Sequence, residues 1–410
     1  MSRKCVLVSF IVIVSSIMFS NLFPHHIILN EAVFLRSNSP DSNFQIKSSV
    51  TYMVEINFSL TQLSGSGDYY FKMPRLNNRS TISPLCPPYQ ESELLYQSLS
   101  GNNPSQTLIN HPDKFNNTYD SYNASLSLLN PEVKLSSKYL ITLNEVTFEN
   151  VLTSEIGVYN TSDEIFSLYC NRSEMFYRTD DPNLINLSNS IVSPTDNPIN
   201  KAQKIMTWID DNIEYNGSLT EEIGASNAYG NLTGDCSEFS SLMITLLRIQ
   251  GIPARKVTGF CLSNVYNFKP RIGDEYTFYS RLGETPTFLG HAWVEYYVPN
   301  IGWIACDPTW NQVSNTYFNR IDYLRFNYNI GSWFFFPPDE LHSEFPVPYA
   351  TGFLTGSYTY DFEFKVTVID TNYPTIDLLI LIIIFSLIGV VIGLIFIILY
   401  VRIKRKKNTF

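Results

Sequence analysis

Three short segments, each in a different local setting, constrain the fold of this chain more than any other feature. Cys236 heads a helical pattern that ends at Gly251. His291 and Asp307 follow in that order, each in a segment that alternates as a strand does. Such a helix combined with such strands predicts a mixed α+β core. A thiol at a helix start, with an imidazole and a carboxylate downstream, is also the arrangement that a nucleophilic cysteine enzyme needs.

The predicted helix start gives the thiol a defined electrostatic setting. Asp235 and Glu238 form a capping-box pattern, which puts Cys236 at the first helical position, over unpaired backbone amides. A helix start stabilises the thiolate and so lowers the pKa of a cysteine. The negative charges of Asp235 and Glu238 oppose this effect. We therefore expect that catalysis by Cys236 requires a histidine that accepts the thiol proton.

Strand alternation predicts how the other two residues meet. On one strand His291 and Trp293 share a face, and on the next Ala305 and Asp307 share a face while Cys306 points away. If these strands pair, His291 and Asp307 face the same way, and Asp307 orients the imidazole as the third member of a triad does. Taken singly, each residue has an ordinary structural interpretation, such as a buried thiol or a strand-ending turn. The combination of the three is what favours catalysis.

These blocks of sequence resemble the transglutaminase-like superfamily, whose fold is similar to that of papain. The blocks are Gly234-Asp235-Cys236-Ser237-Glu238-Phe239, His291-Ala292-Trp293-Val294-Glu295 and Gly302-Trp303-Ile304-Ala305-Cys306-Asp307-Pro308-Thr309. The resemblance runs from about Asn200 to Trp310. It implies Cys236 as nucleophile, His291 as base and Asp307 as the residue that orients the base. It also implies an amino-terminal β-domain, which many exported microbial members carry.

Such an enzyme also needs hydrogen-bond donors for the oxyanion that forms during the reaction. The backbone amide of Cys236 is one candidate. A side chain such as Tyr215 or Trp208 is a candidate for the second, although neither lies in a recognisable motif. Residues 262–289 are expected to be a lid or specificity loop, or else a plain surface insertion.

The expected fold class is α+β, with a papain-like transglutaminase core in which a helix carries Cys236 and an antiparallel sheet carries His291 and Asp307. Strand patterns such as 51–60 predict a β-sandwich-like domain before this core. Pro198 is expected to begin a core-facing helix, and the Asn-rich stretch 102–127 to be an exposed loop. The expected boundaries are a signal peptide or signal anchor at 1–23, an extracellular β-sandwich-like domain at 45–175, a transglutaminase-like domain at 180–346, a β-strand and linker at 347–376, a transmembrane helix at 377–401 and a basic cytoplasmic tail at 402–410.

Both ends of the chain predict attachment to a membrane. Residues 378–401 are apolar and uncharged, long enough for a bilayer-spanning helix of about 20 residues. The basic residues at 402–407 predict a cytoplasmic tail, and Arg3 and Lys4 before the apolar run 6–19 have the layout of a secretory signal. We therefore expect a single-pass protein of the cell membrane, with extracytoplasmic amino-terminal domains. Asn-x-Ser/Thr motifs in that part predict a glycoprotein, a plan that suits an archaeal cell surface.

Composition argues against several partners and cofactors. The formal net charge of −10 disfavours nucleic acid or anionic lipid surfaces as partners. No C-x-x-C pair occurs and the five histidines are scattered, so neither a metal nor any other cofactor is expected. Cys5 lies in the signal, and Cys236 must stay reduced as a nucleophile. The remaining cysteines form either two disulfides or four buried free thiols; they are Cys86, Cys170, Cys261 and Cys306.

The sequence therefore predicts a membrane-anchored, extracytoplasmic enzyme that attacks amide bonds through a Cys236–His291–Asp307 triad and a thioester intermediate. If water resolves the thioester, the enzyme is a peptidase or amidase; if a lysine amine does, it is a protein-glutamine transglutaminase. The expected partners are a protein or peptide substrate and, through the carboxyl-terminal helix, the membrane. The alternative is a non-catalytic surface binding or adhesion protein that uses the same scaffold.

Overall fold

The computed structural model describes residues 43–374 except 80–85, 102–104, 114, 150, 172, 218–221, 332–348, 352–353 and 356, together with residues 386, 389 and 391–399. The strands are β1 (Gln45–Gln62), β2 (Ser66–Pro74), β3 (Gln90–Gly101), β4 (Ser105–Pro112), β5 (Thr118–Ser127), β6 (Glu132–Thr147), β7 (Glu214–Tyr215), β8 (Thr233–Gly234), β9 (Ala254–Cys261), β10 (Glu275–Arg281), β11 (Leu289–Val298), β12 (Gly302–Cys306), β13 (Arg320–Ile321), β14 (Arg325–Ile330), β15 (Tyr349–Thr351), β16 (Leu354–Thr355) and β17 (Tyr358–Asn372). The helices are α1 (Glu164–Tyr169), α2 (Pro182–Ile191), α3 (Pro198–Asn212), α4 (Gly224–Asn231), α5 (Cys236–Ile249) and α6 (Pro308–Ser314).

The largest sheet is built around β1. Its strand order is β10-β17-β1-β6-β13, with β3 also pairing with β6, and the pairs are antiparallel. Every second residue of β1 from Val50 to Leu60 is buried, as the alternation of its sequence predicts. A second antiparallel sheet has the order β15-β2-β5-β4, with β16 pairing with β2. Buried side chains of both sheets belong to one hydrophobic cluster, so the amino-terminal region is sandwich-like.

A third antiparallel sheet, β12-β11-β9-β14, carries the predicted strands of the site. β11 pairs with β12, the condition under which the sequence predicts that His291 and Asp307 face the same way, and Val294 lies opposite Cys306. Helix α5 packs on this sheet through Phe239, Leu242, Met243 and Leu246, which share a hydrophobic cluster with Val294. Helices packed on antiparallel sheets therefore make up the described fold, the α+β class that the sequence predicts.

The third sheet also contacts the first. Phe260 on β9 lies with its ring centroid 4.5 Å from that of Phe364 on β17, and 4.9 Å from that of Phe326 on β14. The segment predicted as a lid or insertion, 262–289, contains β10, which pairs with β17 along the edge of the first sheet. Strands from the two regions expected as separate domains thus belong to one sheet, and side chains from both regions belong to one hydrophobic cluster. Alternation shows that a segment is a strand but does not name its partner, which is why the sequence did not predict this sharing.

One prediction about the amino-terminal region is wrong. The stretch expected as an exposed loop, 102–127, contains β4 and β5, and β5 is largely buried. Its inward side chains include Tyr119, Tyr122, Ala124 and Leu126, each 3 % exposed or less. Asn123 and Ser125 are exposed between the last three of these, whereas Asp120 and Ser121 are buried, so the strand does not alternate strictly and its polar residues hid it.

The cysteines form no disulfide in the part of the chain that the structure describes. Cys86, Cys170, Cys261 and Cys306 are buried free thiols, the second of the two arrangements that the sequence left open. Among the described residues, no helix is both long and apolar enough to cross a bilayer. The predicted transmembrane segment 377–401 lies mostly outside the described residues; within it, residues 391–399 are helical. The predicted signal at 1–23 and the tail at 402–410 lie wholly outside them.

Candidate active site

The nucleophile candidate lies at the start of α5, as predicted from its capping pattern. Cys236 is the first helical residue, and the Asp235 carboxylate accepts a hydrogen bond from the backbone N–H of Ser237 at 2.7 Å. The backbone N–H of Asp235 donates to Glu238 Oε2 at 3.1 Å. A Cβ on Gly234 would lie 2.3 Å from that of Glu238, so only glycine leaves room for this carboxyl. The helix start is thereby fixed from both sides of Cys236.

Glu238 is a buried acid that binds several backbone amides. Its Oε1 accepts from the N–H of Ile223 at 2.8 Å and from that of Gly224 at 3.4 Å. Burial, together with the neighbouring Asp235 carboxylate, raises the pKa of Glu238 to about 7. This carboxyl joins the segment before α4 to the first turn of α5, and its charge state changes near neutral pH.

The thiol of Cys236 is held in its neutral form. Burial and the Asp235 carboxylate raise its pKa well above the ordinary value, and the Asp307 charge adds to this. A hydrogen bond from the backbone of Ala292 acts in the opposite direction and places the thiol beside the residue that follows His291. The residue keeps some exposure to solvent. A neutral thiol next to a histidine-bearing strand needs that histidine to accept its proton before it can attack.

His291 and Asp307 meet as the strand pairing predicts. His291 Nε2 lies 2.6 Å from Asp307 Oδ2, and both side chains are buried. The ring of His291 is stacked near that of Trp293, with centroids 6.1 Å apart. Because Nε2 contacts the carboxylate, Nδ1 is the ring nitrogen left to act on the thiol.

Asp307 is ionised in this setting. Burial alone raises the pKa of its carboxyl, but the charges of His291 and Arg325 and their hydrogen bonds hold it below the ordinary value. Its second oxygen, Oδ1, accepts from the backbone N–H of Trp310 at 3.0 Å, so Asp307 is also the cap of α6. An ionised carboxylate only accepts hydrogen bonds, so Nε2 of His291 carries the proton in this contact.

Arg325 and Asp322 extend the site and were missed in the sequence. Arg325 Nε donates to Asp307 Oδ2 at 2.9 Å, and its Nη1 donates to Asp322 Oδ1. Its guanidinium lies over the rings of Tyr317, at 4.6 Å, and Trp310, at 5.0 Å. Arg325 is in β14, separated from the predicted blocks, and no local motif marks it. The one signal in the sequence that could have identified Arg325 is a charged residue at the start of a strand pattern rich in aromatic residues.

Tyr215 and Trp208, the two side chains considered as the second oxyanion donor, lie in different places. Tyr215 lines a cavity of about 430 Å³ together with His291, and burial is the main cause of its raised pKa, with Cys236 among the neighbouring groups that contribute. Trp208 instead packs near Tyr229 on the helical side, with ring centroids 5.9 Å apart. The structure therefore brings Tyr215, but not Trp208, to the cavity. Cys236 is not itself among the described residues that line it.

A second acid near the site, Asp210, is half-buried. Asp210 on α3 accepts a hydrogen bond from the side chain of Asn311, and burial raises its pKa to about 6. Gln312 donates to the backbone oxygens of Asp210 and Ile213, at 3.1 and 2.7 Å. These contacts hold α3 against α6, the helix that Asp307 caps. Within the described residues, no group of three or more His, Cys, Asp or Glu side chains could hold a metal ion.

Comparison with known proteins agrees with this arrangement. Residues 185–308, which include all three predicted site residues, match the model of the transglutaminase-like superfamily. A segment of 76 residues is 38% identical to an uncharacterized protein, YebA, of Bacillus subtilis, and one of 78 residues is 35% identical to a protein-glutamine gamma-glutamyltransferase of Pseudomonas aeruginosa. The segments cover 18% and 19% of this chain but only 9% and 10% of those relatives.

Two solved structures are similar at a coarser level. A candidate cysteine protease from Cytophaga hutchinsonii has a TM-score of 0.47 at 16% identity, over 81% of this chain and 94% of that one. The periplasmic domain of TgpA from Pseudomonas aeruginosa has a TM-score of 0.32 at 15% identity, over 63% of this chain and 88% of that one. The family match establishes that this chain contains a transglutaminase-like superfamily domain.

Proposed function

We propose that the transglutaminase-like domain of this chain is a cysteine-dependent enzyme that acts on amide bonds, with Cys236 as nucleophile, His291 as base and Asp307 as the residue that orients His291. The observation that carries this proposal is the 2.6 Å contact between His291 Nε2 and Asp307 Oδ2. His291 lies on β11, and the backbone of the next residue on that strand, Ala292, forms a hydrogen bond with the thiol of Cys236. The contact with Asp307 leaves Nδ1 as the proton acceptor for Cys236.

In the first half of the reaction, His291 Nδ1 takes the proton of Cys236 as Sγ attacks the carbonyl carbon of an amide. The tetrahedral intermediate carries a negative oxygen, for which the backbone N–H of Cys236 and the hydroxyl of Tyr215 are the proposed donors. When the C–N bond breaks, the protonated His291 gives its proton to the departing amine. Cys236 is then joined to the acyl group as a thioester.

In the second half, His291 takes a proton from the incoming acceptor as that acceptor attacks the thioester carbon. Sγ departs and recovers the proton from His291, so the enzyme returns to its starting state. With water as acceptor the products are those of a peptidase or amidase. With a lysine amine the product is a new amide, as for a protein-glutamine transglutaminase. The triad chemistry is the same for both acceptors.

The proposed location follows from the sequence features at both ends of the chain. The proposal is a single-pass protein of the cell membrane, with a signal peptide or signal anchor at 1–23 and a transmembrane helix at 377–401. The enzyme domain is then extracytoplasmic and glycosylated, in a microbial or archaeal cell, and its partners are protein or peptide substrates. Membrane fractionation of cells that express the full chain, followed by protease treatment of intact cells, tests this topology.

A second proposal is a non-catalytic surface binding or adhesion protein. The large amino-terminal sheets favour it, because they supply more surface than the site alone needs. The contacts of Asp307 weigh against it, since two side-chain donors, His291 and Arg325, hold a carboxylate that a scaffold has no need to orient. A thiol-directed amide or epoxide probe separates the two proposals. Labelling of Cys236 that is lost in His291→Ala favours the enzyme.

Mass spectrometry of peptides tests the enzyme directly. The full chain is incubated with a peptide library in which random residues flank a central glutamine, with and without a primary amine. Cleaved backbones, deamidated glutamines and amine adducts differ in mass, so one experiment separates the acceptors. The Cys236→Ala variant is the control. Products that form equally with this variant, or that never form with the unaltered chain, overturn the proposed function.

A further inference from the structure

The cavity beside His291 has an uncharged wall. Its volume of about 430 Å³ lies in the range of about 300–1,000 Å³ that is usual for ligand sites. Segments from β7, β9, β11, α6 and the stretch after β9 all contribute to it. Among the described lining residues there is no Asp, Glu, Lys or Arg, and His291 is the one histidine. The buried Arg325 and Asp307 charges nearby are bound to each other at 2.9 Å.

Apolar side chains at this cavity are left open to solvent. Val313 is 70 % exposed and Tyr215 53 %, and Leu289 and the half-buried Trp310 complete this side of the wall. Exposed apolar groups gathered beside one cavity are typical of a binding site rather than of an ordinary surface. A charged side chain that entered such a cavity would lose its water of hydration without gaining a counter-charge, which costs free energy.

The polar side chains that α6 places at the wall are not available to a ligand. Thr309 Oγ1 is buried from solvent, although Thr309 lines the cavity. Gln312 already donates to two backbone oxygens. The side chains that α6 offers to a ligand here are therefore the apolar ones, Trp310 and Val313.

We infer that this cavity is the specificity subsite of the proposed enzyme and that it takes an uncharged aromatic or branched aliphatic side chain of a peptide, adjacent to the amide that Cys236 attacks. The substrate class is thus a protein or peptide with an apolar residue next to the reactive amide, and acidic or basic residues at that position are excluded. The inference rests on the proposed function for the identity of the attacked amide.

Charge substitutions at the rim test this subsite. Val313→Asp and Val313→Lys place opposite charges on an exposed position, so the fold is kept. With the glutamine-centred library, the unaltered chain is expected to prefer Phe or Leu over Asp or Lys at one flanking position by at least tenfold in kcat/KM. Val313→Asp should shift that preference toward Lys, and Val313→Lys toward Asp, mainly through KM. The same substitutions at Val158, which is 95 % exposed and outside the cavity, should change nothing.

Binding to the Cys236→Ala variant separates this inference from the proposed function, because binding needs no turnover. Titration calorimetry with two purified peptides, one with Phe and one with Asp at the selected position, should give tighter binding of the Phe peptide. If Cys236→Ala binds the Phe peptide selectively but the unaltered chain turns no peptide over, the proposed function is wrong and the proposed subsite stands. Turnover without preference, or preferences that ignore the charge at Val313, overturns the subsite alone. Neither binding nor turnover overturns both.

Discussion

Arg325 Nε lies 2.9 Å from Asp307 Oδ2, the same carboxylate oxygen that His291 Nε2 contacts at 2.6 Å. The orientation of the candidate base therefore depends on a cation that belongs to a different strand, β14. Asp322 binds the same guanidinium through Nη1 and limits the excess positive charge. The charged groups of Asp307, Arg325 and Asp322 thus form one buried chain of contacts with His291, in which removal of any member leaves another without a partner.

Arg325→Lys is expected to lower kcat about 10- to 100-fold with little change in KM, because lysine keeps the charge but cannot bind Asp307 and Asp322 through a planar fork. Arg325→Met leaves two buried carboxylates uncompensated and should lower the free energy of unfolding by about 3–5 kcal/mol. Steady-state kinetics and urea unfolding measure the two effects. Arg178→Lys, in an exposed pair with Asp180, is the control. Equal kcat values for Arg325→Lys and the unaltered chain would refute this positioning role.

Asp235→Asn should make Cys236 more reactive. The Asp235 carboxylate is one cause of the raised thiol pKa, and asparagine keeps the helix cap while removing the charge. Since a raised pKa means that the thiolate forms only as pH rises, the alkylation rate of the unaltered chain should increase steadily from pH 6 to 9. The variant should react about twofold to fivefold faster at pH 7, the size expected for one nearby charge. Iodoacetamide labelling, read on the Cys236 peptide, measures both.

The control for that labelling experiment is Asp181→Asn at the cap of α2, which has the same hydrogen bond to a backbone N–H. It should leave the rate unchanged. A flat rate between pH 6 and 9 in the unaltered chain would show that Cys236 is already a thiolate, and would contradict the neutral resting state.

His291→Ala should reduce turnover about 10²- to 10⁴-fold, the range for loss of a general base. It should also lower the thermal unfolding midpoint, though less than Arg325→Met does, because Asp307 loses one buried hydrogen-bond partner while Arg325 still binds it. Turnover of the best library peptide and differential scanning calorimetry measure the two quantities. His111→Ala, which removes a ring next to Tyr119 in the second sheet, is the matched control. Unchanged turnover in His291→Ala would exclude it as the base.

Glu238→Gln should change how stability depends on pH. The pKa of this carboxyl in the folded chain is about 7, above its ordinary value of 4.5, so between these values the folded state binds more protons than the unfolded state. Its contribution to stability is present at low pH and is lost as pH rises toward 7, by at most about 1.4 kcal/mol per pH unit. In the variant, residue 238 does not titrate, so it adds no dependence of stability on pH. The variant should therefore be more destabilised relative to the unaltered chain at pH 5 than at pH 7.

Urea unfolding at both pH values measures this difference. Glu284→Gln, at an exposed carboxyl, is the control and should alter both values equally. A destabilisation by Glu238→Gln that is the same at pH 5 and pH 7 would contradict the raised pKa.

Local signals in the sequence were sufficient for the elements that carry the site. The capping box and the apolar stripe predicted α5 and its first residue, and Pro198 predicted the start of α3. Alternation predicted β11 and β12 as strands, and it predicted that His291 and Asp307 face the same way if these strands pair, which they do. Each of these features depends on residues within a few positions of one another or on two strands joined by a short turn.

What depends on distant pairing was not predictable in this way. Arg325 reaches Asp307 only because β14 pairs with β9, and nothing in the sequence around it names that partner. For the same reason β10 was not assigned to the first sheet. The choice between Tyr215 and Trp208 depended on which side of the third sheet each one faces, and no periodicity decides that. The roles of Cys236, His291 and Asp307 in catalysis stay predictions until the variants are measured.

The pairing of β1 with β17 joins residues such as Ile56 and Phe364 across almost the whole described chain. During biosynthesis the ribosome releases β1 long before β17 exists, so the central strand of the largest sheet has one edge without a partner while about 300 further residues are added. Folding of that sheet is completed only after synthesis passes residue 372, so β1 depends longest on a partner that the ribosome has not yet made.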